Sequence, residues 1–304
     1  MSLSITSNFT GDHAGQYLAA ALKAAKSLDY LTLVENVKYK RNISLLAPGA
    51  RGAEYGTIQD ATCDFTKKGT LTMTEKILEP KALQVNMDFC KKDLLADWQS
   101  LQMGAGAHNR NFSPDFQSFV IGYIAAQITD AVELDVWSGA KGNAGEFDGL
   151  LAAFTADAVT TCSKSGAFSA TTMVTELSTL VANIPANVYA NAAEDLYIYM
   201  NPKAYRFYIS EMSTAGYVDL YSMNDTYQPF FEGIKIAVCP GMPDDNMVAA
   251  QSSNMFFGTD LLSDTTEIKL LDMSDLDGSD NIRCVAKYTA GTQTGVAKDI
   301  THMS

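Results

Sequence analysis

Residues 113–139 read SPDFQSFVIGYIAAQITDAVELDVWSG. Ser113 is placed to cap a helix, Pro114 stands at the first helical position where its missing N–H costs nothing, and Asp115 sets a negative charge on the positive end of the dipole. Phe116, Phe119, Val120, Tyr123, Ile124, Ile128, Ala131 and Val132 recur at helical spacing, Trp137 closes the run and Gly139 stops it. A helix over 114–138 is about 36 Å long at 1.5 Å per residue, longer than the ordinary globular helix. Such a rod needs a body built along it. FVIGYIAAQI, inside it, falls far short of the roughly 20 apolar residues of a bilayer span.

On the N-terminal side, Asp12 is placed to cap a first helix that puts Tyr17, Leu18, Ala21, Leu22, Ala25 and Leu28 on one face. That helix is short and alanine-rich, so it needs a neighbour to persist. Val37 to Leu46 alternates loosely and predicts a strand. Residues 47–70 (APGARGAEYGTIQDATCDFTKKGT) hold four glycines and no periodic apolar face, and a segment of that length in a compact domain is usually functional. TLTMTEKIL and ALQVNMDF predict two further strands, punctuated by Glu79-Pro80. Residues 37–88 together read as a long two-stranded excursion with a glycine-rich tip, and a hairpin of that kind is marginal by itself.

On the C-terminal side, GAKGNAGEFDG is a glycine-rich turn, and Met173, Val174, Leu177, Leu180, Val181 and Ile184 mark a helix halted by Pro185. DLYIYM reads as a buried strand, and Asn201-Pro202 caps a helix containing Tyr205, Phe207, Tyr208 and Met212. Residues 231–251, FEGIKIAVCPGMPDDNMVAAQ, read as strand 233–238, turn 239–245 and strand 246–250. TEIKLLDM, NIRCVAKYT and TGVAKDI complete the strands. Helices and strands interleave, with strand pairs joined by tight turns, so the fold class is α+β rather than a doubly wound parallel sheet.

The 304 residues are 47% apolar and 19% charged, which is globular composition. The start, MSLSITSNFTGDH, is short and polar without the basic-then-apolar order of a secretory signal, so the expectation is a soluble chain made in a cytosol. Net charge is −13, against the basic face of a dedicated nucleic-acid binder. Residues 1–35 carry 2 basic and 3 acidic side chains, residues 36–93 carry 10 and 7, and residues 94–304 carry 10 and 25. The basic segment is either an ordinary solvated face or a surface that lies on an acidic neighbour.

No constellation for chemistry emerges. Cys63, Cys90, Cys162, Cys239 and Cys284 form no Cys-x-x-Cys pair, so zinc and dithiol redox sites lack support and reduced thiols are expected. Cys239 has Asp244 and Asp245 beside it, which would raise its pKa, and the histidines His13, His108 and His302 are remote in sequence. In DMSDLDGSDNIR, Asp275, Asp277 and Gly278 match part of a calcium-loop pattern, yet the first ligand position is Met273 and the twelfth Cys284, so a plain acidic turn is the reading. GARGAEYG and GAKGNAG lack the Gly-Lys-Ser/Thr of a phosphate loop, and Lys141 comes too early. Trp98 and Trp137 are expected in the core. Catalytic, cofactor-binding and metal residues are therefore none.

The order of parts resembles the major capsid proteins of tailed bacteriophages, the Hong Kong 97-like fold. LEPKALQVNMDFCKKDL is similar to the family's exit from its extended loop, DLYIYMNPKAYRFY to its axial strand ending at Asn-Pro, FEGIKIAVCPGMPDDNMVAAQ to its strand, turn and strand, and NMFFGTDLL with TEIKLLDM to the segment closing the axial domain. The resemblance implies an N-terminal arm (1–36), an extended two-stranded loop (37–80), a peripheral domain (81–170) with spine helix 114–138, an axial domain (171–271), and returning strands of the peripheral domain (272–304). It implies a structural protein with no cofactor, self-assembling into hexamers and pentamers of an icosahedral head around double-stranded DNA, with Met242 to Asn246 lining a ring centre. Portal and decoration proteins, non-specific contact with DNA, no membrane, and assembly in the host cytoplasm into the virion follow from the same likeness. The chain departs from members with a long charged N-terminal scaffold, so a separate scaffolding protein serves or none does. Lys–Asn self-crosslinking, found in part of the family, carries to no pair here. Two alternatives stand beside this: an encapsulin-like compartment of the same fold holding a cargo enzyme, and a small-ligand-binding or hydrolytic α+β protein.

Overall fold

The helix that the sequence places at 114–138 spans Pro114–Ser138 (α1) and lies between two sheets, in a computed structural model describing residues 26–47, 61, 63–64, 72–90, 114–190, 195–216, 229–260, 267–273, 278–279 and 281–304. The first predicted helix, capped at Asp12, the tip sequence GARGAEYG, and Trp98, His13 and His108 fall outside those residues. The buried face of α1 is Ile121, Ile124, Ala125, Ile128, Val132 and Val136, each under 10% exposed, in the i, i+3, i+4 pattern of one helical face. Tyr123 and Ala131, expected on that face, look outward, and Gln127 Nε2 donates to the Tyr123 hydroxyl at 3.0 Å on the wet side. No described helix is long and apolar enough to cross a membrane.

One sheet orders its strands β1 (Thr32–Val34), β10 (Met255–Gly258), β12 (Asn281–Thr294) and β11 (Glu267–Asp272), with β4 (Lys81–Cys90) also paired to β12. Along β12, Ile282, Cys284, Ala286, Tyr288 and Ala290 are buried while Arg283 and Lys287 are exposed, the period-2 alternation of a sheet with one wet face. ALQVNMDF thus belongs to the body, registered antiparallel on β12 from Lys81↔Ala290 to Cys90↔Asn281. The two-stranded excursion therefore ends at Leu78, not at residue 88. It consists of β2 (Arg41–Ala47) and β3 (Thr72–Leu78), paired Arg41↔Leu78 through Ala47↔Thr72. Val37, predicted as the first residue of that strand, lies outside it; it is 2% exposed and donates its N–H to Thr259 O at 3.1 Å, anchoring the approach.

The second sheet runs β5 (Thr160–Cys162), β13 (Thr301–Met303), β9 (Met247–Gln251), β6 (Leu196–Met200), β8 (Ile234–Val238) and β7 (Phe230–Phe231). Asn201 ends β6 and caps α5 (Pro202–Thr214), its side-chain oxygen accepting from Ala204 N at 2.7 Å, and α5 returns the chain so that β8 lies parallel to β6. Glu232 and Gly233, with φ of 48° and 82°, make the two-residue turn from β7 to β8, a conformation that suits the twist of paired strands. β8 and β9 are not a hairpin: both pair with β6, one on each side, so residues 239–246 cross the end of β6. TGVAKDI, predicted as a returning strand of the first sheet, is instead the end of β12 and a 3-10 turn at Ala297–Asp299; the strand after it, β13, joins the second sheet between β5 and β9.

Helices α2 (Leu150–Ala156), α3 (Met173–Ala182) and α4 (Ala186–Ala190) fill the space between α1 and β6 in the chain. Two apolar clusters result. One joins α1 and α2 to the first sheet and to one face of the second, through Tyr199, Ala237, Val248 and Ala250; the other packs α3 and α5 against the opposite face of the second sheet, with Met173, Leu177, Leu180, Leu196, Ile198 and Ile234 fully buried. Trp137, 0% exposed, is in the first cluster as expected.

Candidate functional site

The ribbon β2–β3 pairs with no other described strand, and its root is fixed from several directions. Leu78 is fully buried against Gly258, and Gly291 faces the Pro80 backbone with no room for a Cβ. Gln293 Nε2 donates to Ile77 O at 2.8 Å. The Lys76 ammonium reaches Asp157 and Thr294 Oγ1 in a part-buried cluster, and Lys40 and Lys141 approach Glu79 at 3.5 and 3.6 Å. Lys81 Nζ then donates to three backbone carbonyls of the loop after α1, those of Lys141, Asn143 and Glu146, at 3.2, 3.1 and 2.6 Å. Beyond this root the ribbon and its approach expose apolar surface: Tyr39 is 72% exposed, Met73 66% and Ile77 49%. Among the described residues, no strand of the body pairs with this ribbon to cover those side chains.

The loop that receives Lys81 is GAKGNAG. Its backbone donors are directed at its own carboxylates, Ala140 N to Glu146 Oε2 at 3.0 Å and Lys141 N to Asp148 Oδ1 at 2.8 Å, so it closes on itself and presents carbonyls to a cation. These contacts hold the Glu146 carboxyl below its usual range. Asp135, in the last turn of α1, is pushed up to about 6, first by burial and then by the charge of Glu146, with Lys81 acting the other way. Because its folded value lies above the ordinary 3.8, the folded chain holds a proton that the unfolded chain releases between those values. Its contribution to stability is fullest below about pH 4 and is lost as the pH rises through about 6. Asp135→Asn is expected to flatten that slope, so the fall in urea midpoint between about pH 4 and pH 7 shrinks relative to the parent; an unchanged slope would refute the assignment.

Cys239 is fully buried, and burial pushes its thiol well above the usual range, with a hydrogen bond to Ser27 opposing and Glu133 reinforcing the shift. The aspartates expected to raise it are engaged elsewhere. Asp244 accepts from Asn201 Nδ2 at 2.6 Å and from Lys203 Nζ at 2.7 Å, and Lys203 holds its carboxyl below the ordinary value. Asp245, at φ 61°, accepts from Phe168 N at 3.0 Å. Met242, expected to line a ring centre, points into the core at 3% exposure, so the exposed member of that turn is Asp244. His302 meets Asn246 Oδ1 at 3.0 Å and is lowered by burial and then by Lys164. In the acidic turn, Asp275 and Asp277 fall outside the described residues; on either side of it Met273 N bonds Asn281 O at 3.0 Å, and β11 and β12 pair antiparallel. Among the described residues no group of three or more His, Cys, Asp or Glu is placed to hold a metal.

Sequence reasoning missed Glu133. It is 7% exposed on α1 and accepts from Ser27 N at 3.1 Å, from the Ser27 hydroxyl, and from Gly241 N at 3.1 Å, while Trp137 Nε1 donates to Ser27 Oγ at 2.7 Å. An acidic residue between Val132 and Val136, inside the apolar arc of the helix, was the available signal.

The Phage capsid family model matches residues 112–266, just over half of the chain. No curated protein matches the sequence. Among solved structures, the capsid of the empty GTA particle is similar over 100% of this chain and 94% of its own, with 13% identity and a TM-score of 0.56. The capsid of Myoviridae phage XM1 aligns over 92% and 91% with 11% identity and a TM-score of 0.56, and the virus-like particle from Pyrococcus furiosus over 97% and 99% with 8% identity and a TM-score of 0.54. The rooted ribbon, the long helix between two sheets and the match across its whole length have one reading, the Hong Kong 97-like fold, and the chain belongs to the phage capsid family.

Proposed function

We propose that this capsid protein is the repeating subunit of an icosahedral tailed-phage head, meeting its copies head to tail in hexamers and pentamers around double-stranded DNA. The observation that carries the reading is the ribbon β2–β3: fixed at its root by its own body, yet apolar and uncovered at Met73 and Ile77. A neighbouring copy supplies the missing surface. Charge favours the same docking, since residues 36–93 are net basic and residues 94–304 strongly acidic, which orients an approach more than it tightens one. An acidic remainder also suits loose packing of DNA, whose phosphates a basic lining would grip.

On this reading residues 1–36 are the arm, 37–80 the extended loop, and 81–170 with α1 the peripheral domain. The axial domain begins at about 171 and the returning segment at 272, with β10 and β11 contributing to the peripheral sheet and β13 to the axial sheet. Assembly takes place in the host cytoplasm with a separate scaffolding protein or none, and portal and decoration proteins complete the virion. As a member of a structural family the chain is not an enzyme, which tells against the hydrolytic alternative.

Met73→Glu with Ile77→Glu tests the proposal. The expected result is loss of closed particles in negative-stain microscopy with the thermal midpoint of the unassembled chain within about 2 °C of the parent, because both side chains are solvent-exposed before assembly. Particles formed as readily as by the parent would overturn it. The likeness to the Pyrococcus furiosus virus-like particle favours one second reading, a compartment with a protein cargo. Nuclease-protected DNA inside purified particles decides for the head, and a co-purifying enzyme for the compartment.

A further inference from the structure

Glu133 stands apart from the other carboxylates of the molecule. It lies on α1 at 7% exposure, and among the described residues no basic side chain pairs with it. Three hydrogen-bond donors hold it instead, and they come from two remote segments. Ser27 gives its N–H and its hydroxyl; Gly241 gives its N–H. The Ser27 hydroxyl is itself oriented, since its oxygen accepts from Trp137 Nε1 and so directs its own proton at the carboxylate.

Each segment is otherwise built into a different part of the fold. Ser27 opens the 3-10 turn Lys26–Tyr30, the start of a strap that runs to Val37. The Tyr30 ring packs on Tyr197 at 5.3 Å and Tyr199 at 6.5 Å, the Tyr199 hydroxyl donates to Tyr30 O at 2.8 Å, and β1 then pairs in parallel with β10. The strap therefore touches α1, the second sheet and the first sheet in turn. Gly241 belongs to the 239–245 crossing, which is seated so closely on α1 that a Cβ there would stand 1.9 Å from Glu133 O.

We infer that Glu133 is a positioning residue that couples the docking of the strap 26–37 to the seating of the 239–245 crossing, so that the two engage and release together. The physical ground is the requirement of a buried carboxylate for donors. If the strap leaves, two of three donors go with it, and the penalty of an under-satisfied buried carboxylate falls on the remaining contact at Gly241. Loss of the Gly241 contact weakens the strap by the same reasoning, because the coupling is a single free energy seen from either side. Residues 1–25 lead directly into this strap, so any partner that draws on that arm acts on the crossing between β8 and β9. The coupling operates within one chain and stands or falls independently of shell formation.

Hydrogen–deuterium exchange on the unassembled full-length chain tests it. Ser27→Ala removes the hydroxyl donor to Glu133 together with the Ser27 contact to Cys239, a contact that Glu133→Gln leaves in place. It is expected to speed exchange of the Gly241 and Met242 amides about tenfold along with those of the strap. Asp245→Ala, which loosens the crossing through its contact with Phe168 N and leaves Glu133 untouched, is expected to speed exchange at 27–31 in return. Glu133→Gln keeps the size of the side chain and replaces an acceptor by a donor, and both segments should then exchange faster while α3 and β6 keep the parent rates. If Ser27→Ala speeds the strap alone, the contacts are independent and the inference fails. It fails equally if α3 and β6 speed up with the rest, since the effect is then a general loss of stability.

Discussion

Gly241→Ala is expected to lower the unfolding free energy of the unassembled chain by about 3 kcal/mol or more. The added methyl would stand 1.9 Å from Glu133 O, 2.4 Å from Glu133 C and 2.9 Å from Leu134 N. These are backbone atoms of the C-terminal part of a 25-residue helix, held by its own hydrogen-bond ladder, so they do not yield as the end of a flexible side chain does. The crossing has little freedom on its other side, where Cys239 N donates to Met200 O at 2.8 Å and Met242 N to Cys239 O at 3.2 Å. Alanine must therefore lift the crossing off α1, which breaks the Gly241 N–H bond to Glu133 and opens a seam where Cys239 and Met242 are almost fully buried. Gly241 is not among the glycines in the left-handed region, so the effect is one of space and not of backbone conformation. Pro240, exposed next to it, provides the control: Pro240→Ala should change stability by about 0.5 kcal/mol or less. Urea unfolding of the three proteins decides the matter, and a Gly241→Ala loss as small as the control's would mean that the crossing is not pressed on the helix.

This packing also explains which parts of the molecule were legible in the sequence. Local signals held where one segment dictates its own structure. Pro114 and the long apolar repeat set α1, and Asn201-Pro202 caps α5 as its sequence predicts, through a side-chain bond from Ala204 N. The break at Glu79-Pro80 separates the projecting ribbon from the body strand β4. Pairing across distance was not legible. Residues 233–250 have the pattern of a hairpin, and only the entry of β6 between the two strands makes the intervening segment a crossing. β1 and β5, three residues each, are too short for any period to register, and they exist because β10 and β13 offer them an edge. The capsid-protein reading rests on the order of elements, which survives such errors, whereas the partners of Glu133 were not legible because its donors lie 106 and 108 residues away. On the helical face Tyr123 was taken as core for its apolar ring, but its hydroxyl keeps it at the surface beside Gln127.

Leu78→Ala is expected to cost about 2–4 kcal/mol, and Gly258→Ala about 1–3 kcal/mol, while the two together should cost less than their sum. Leu78 is the last residue of β3 and is completely buried, although the strand before it lies in solvent as far as Met73. Its side chain fills the space left by the missing Cβ of Gly258, whose position would fall 2.7 Å from Leu78 Cδ2 and 2.9 Å from Cγ. Gly258 has little room to retreat, since it is registered to Val34 on one side and to Gly291 on the other. A methyl added at 258 therefore overpacks the site, and a leucine truncated at 78 empties it; in the double variant the added methyl occupies part of the vacated volume. A double-mutant cycle measured by urea unfolding should return a coupling of about 1 kcal/mol or more in the compensating direction. Additive losses would show that Leu78 is buried by some other contact. Compensation would establish that the ribbon is aimed by one side chain seated under a glycine, and that Lys76 with Asp157 and Gln293 with the Ile77 carbonyl hold the direction that Leu78 sets.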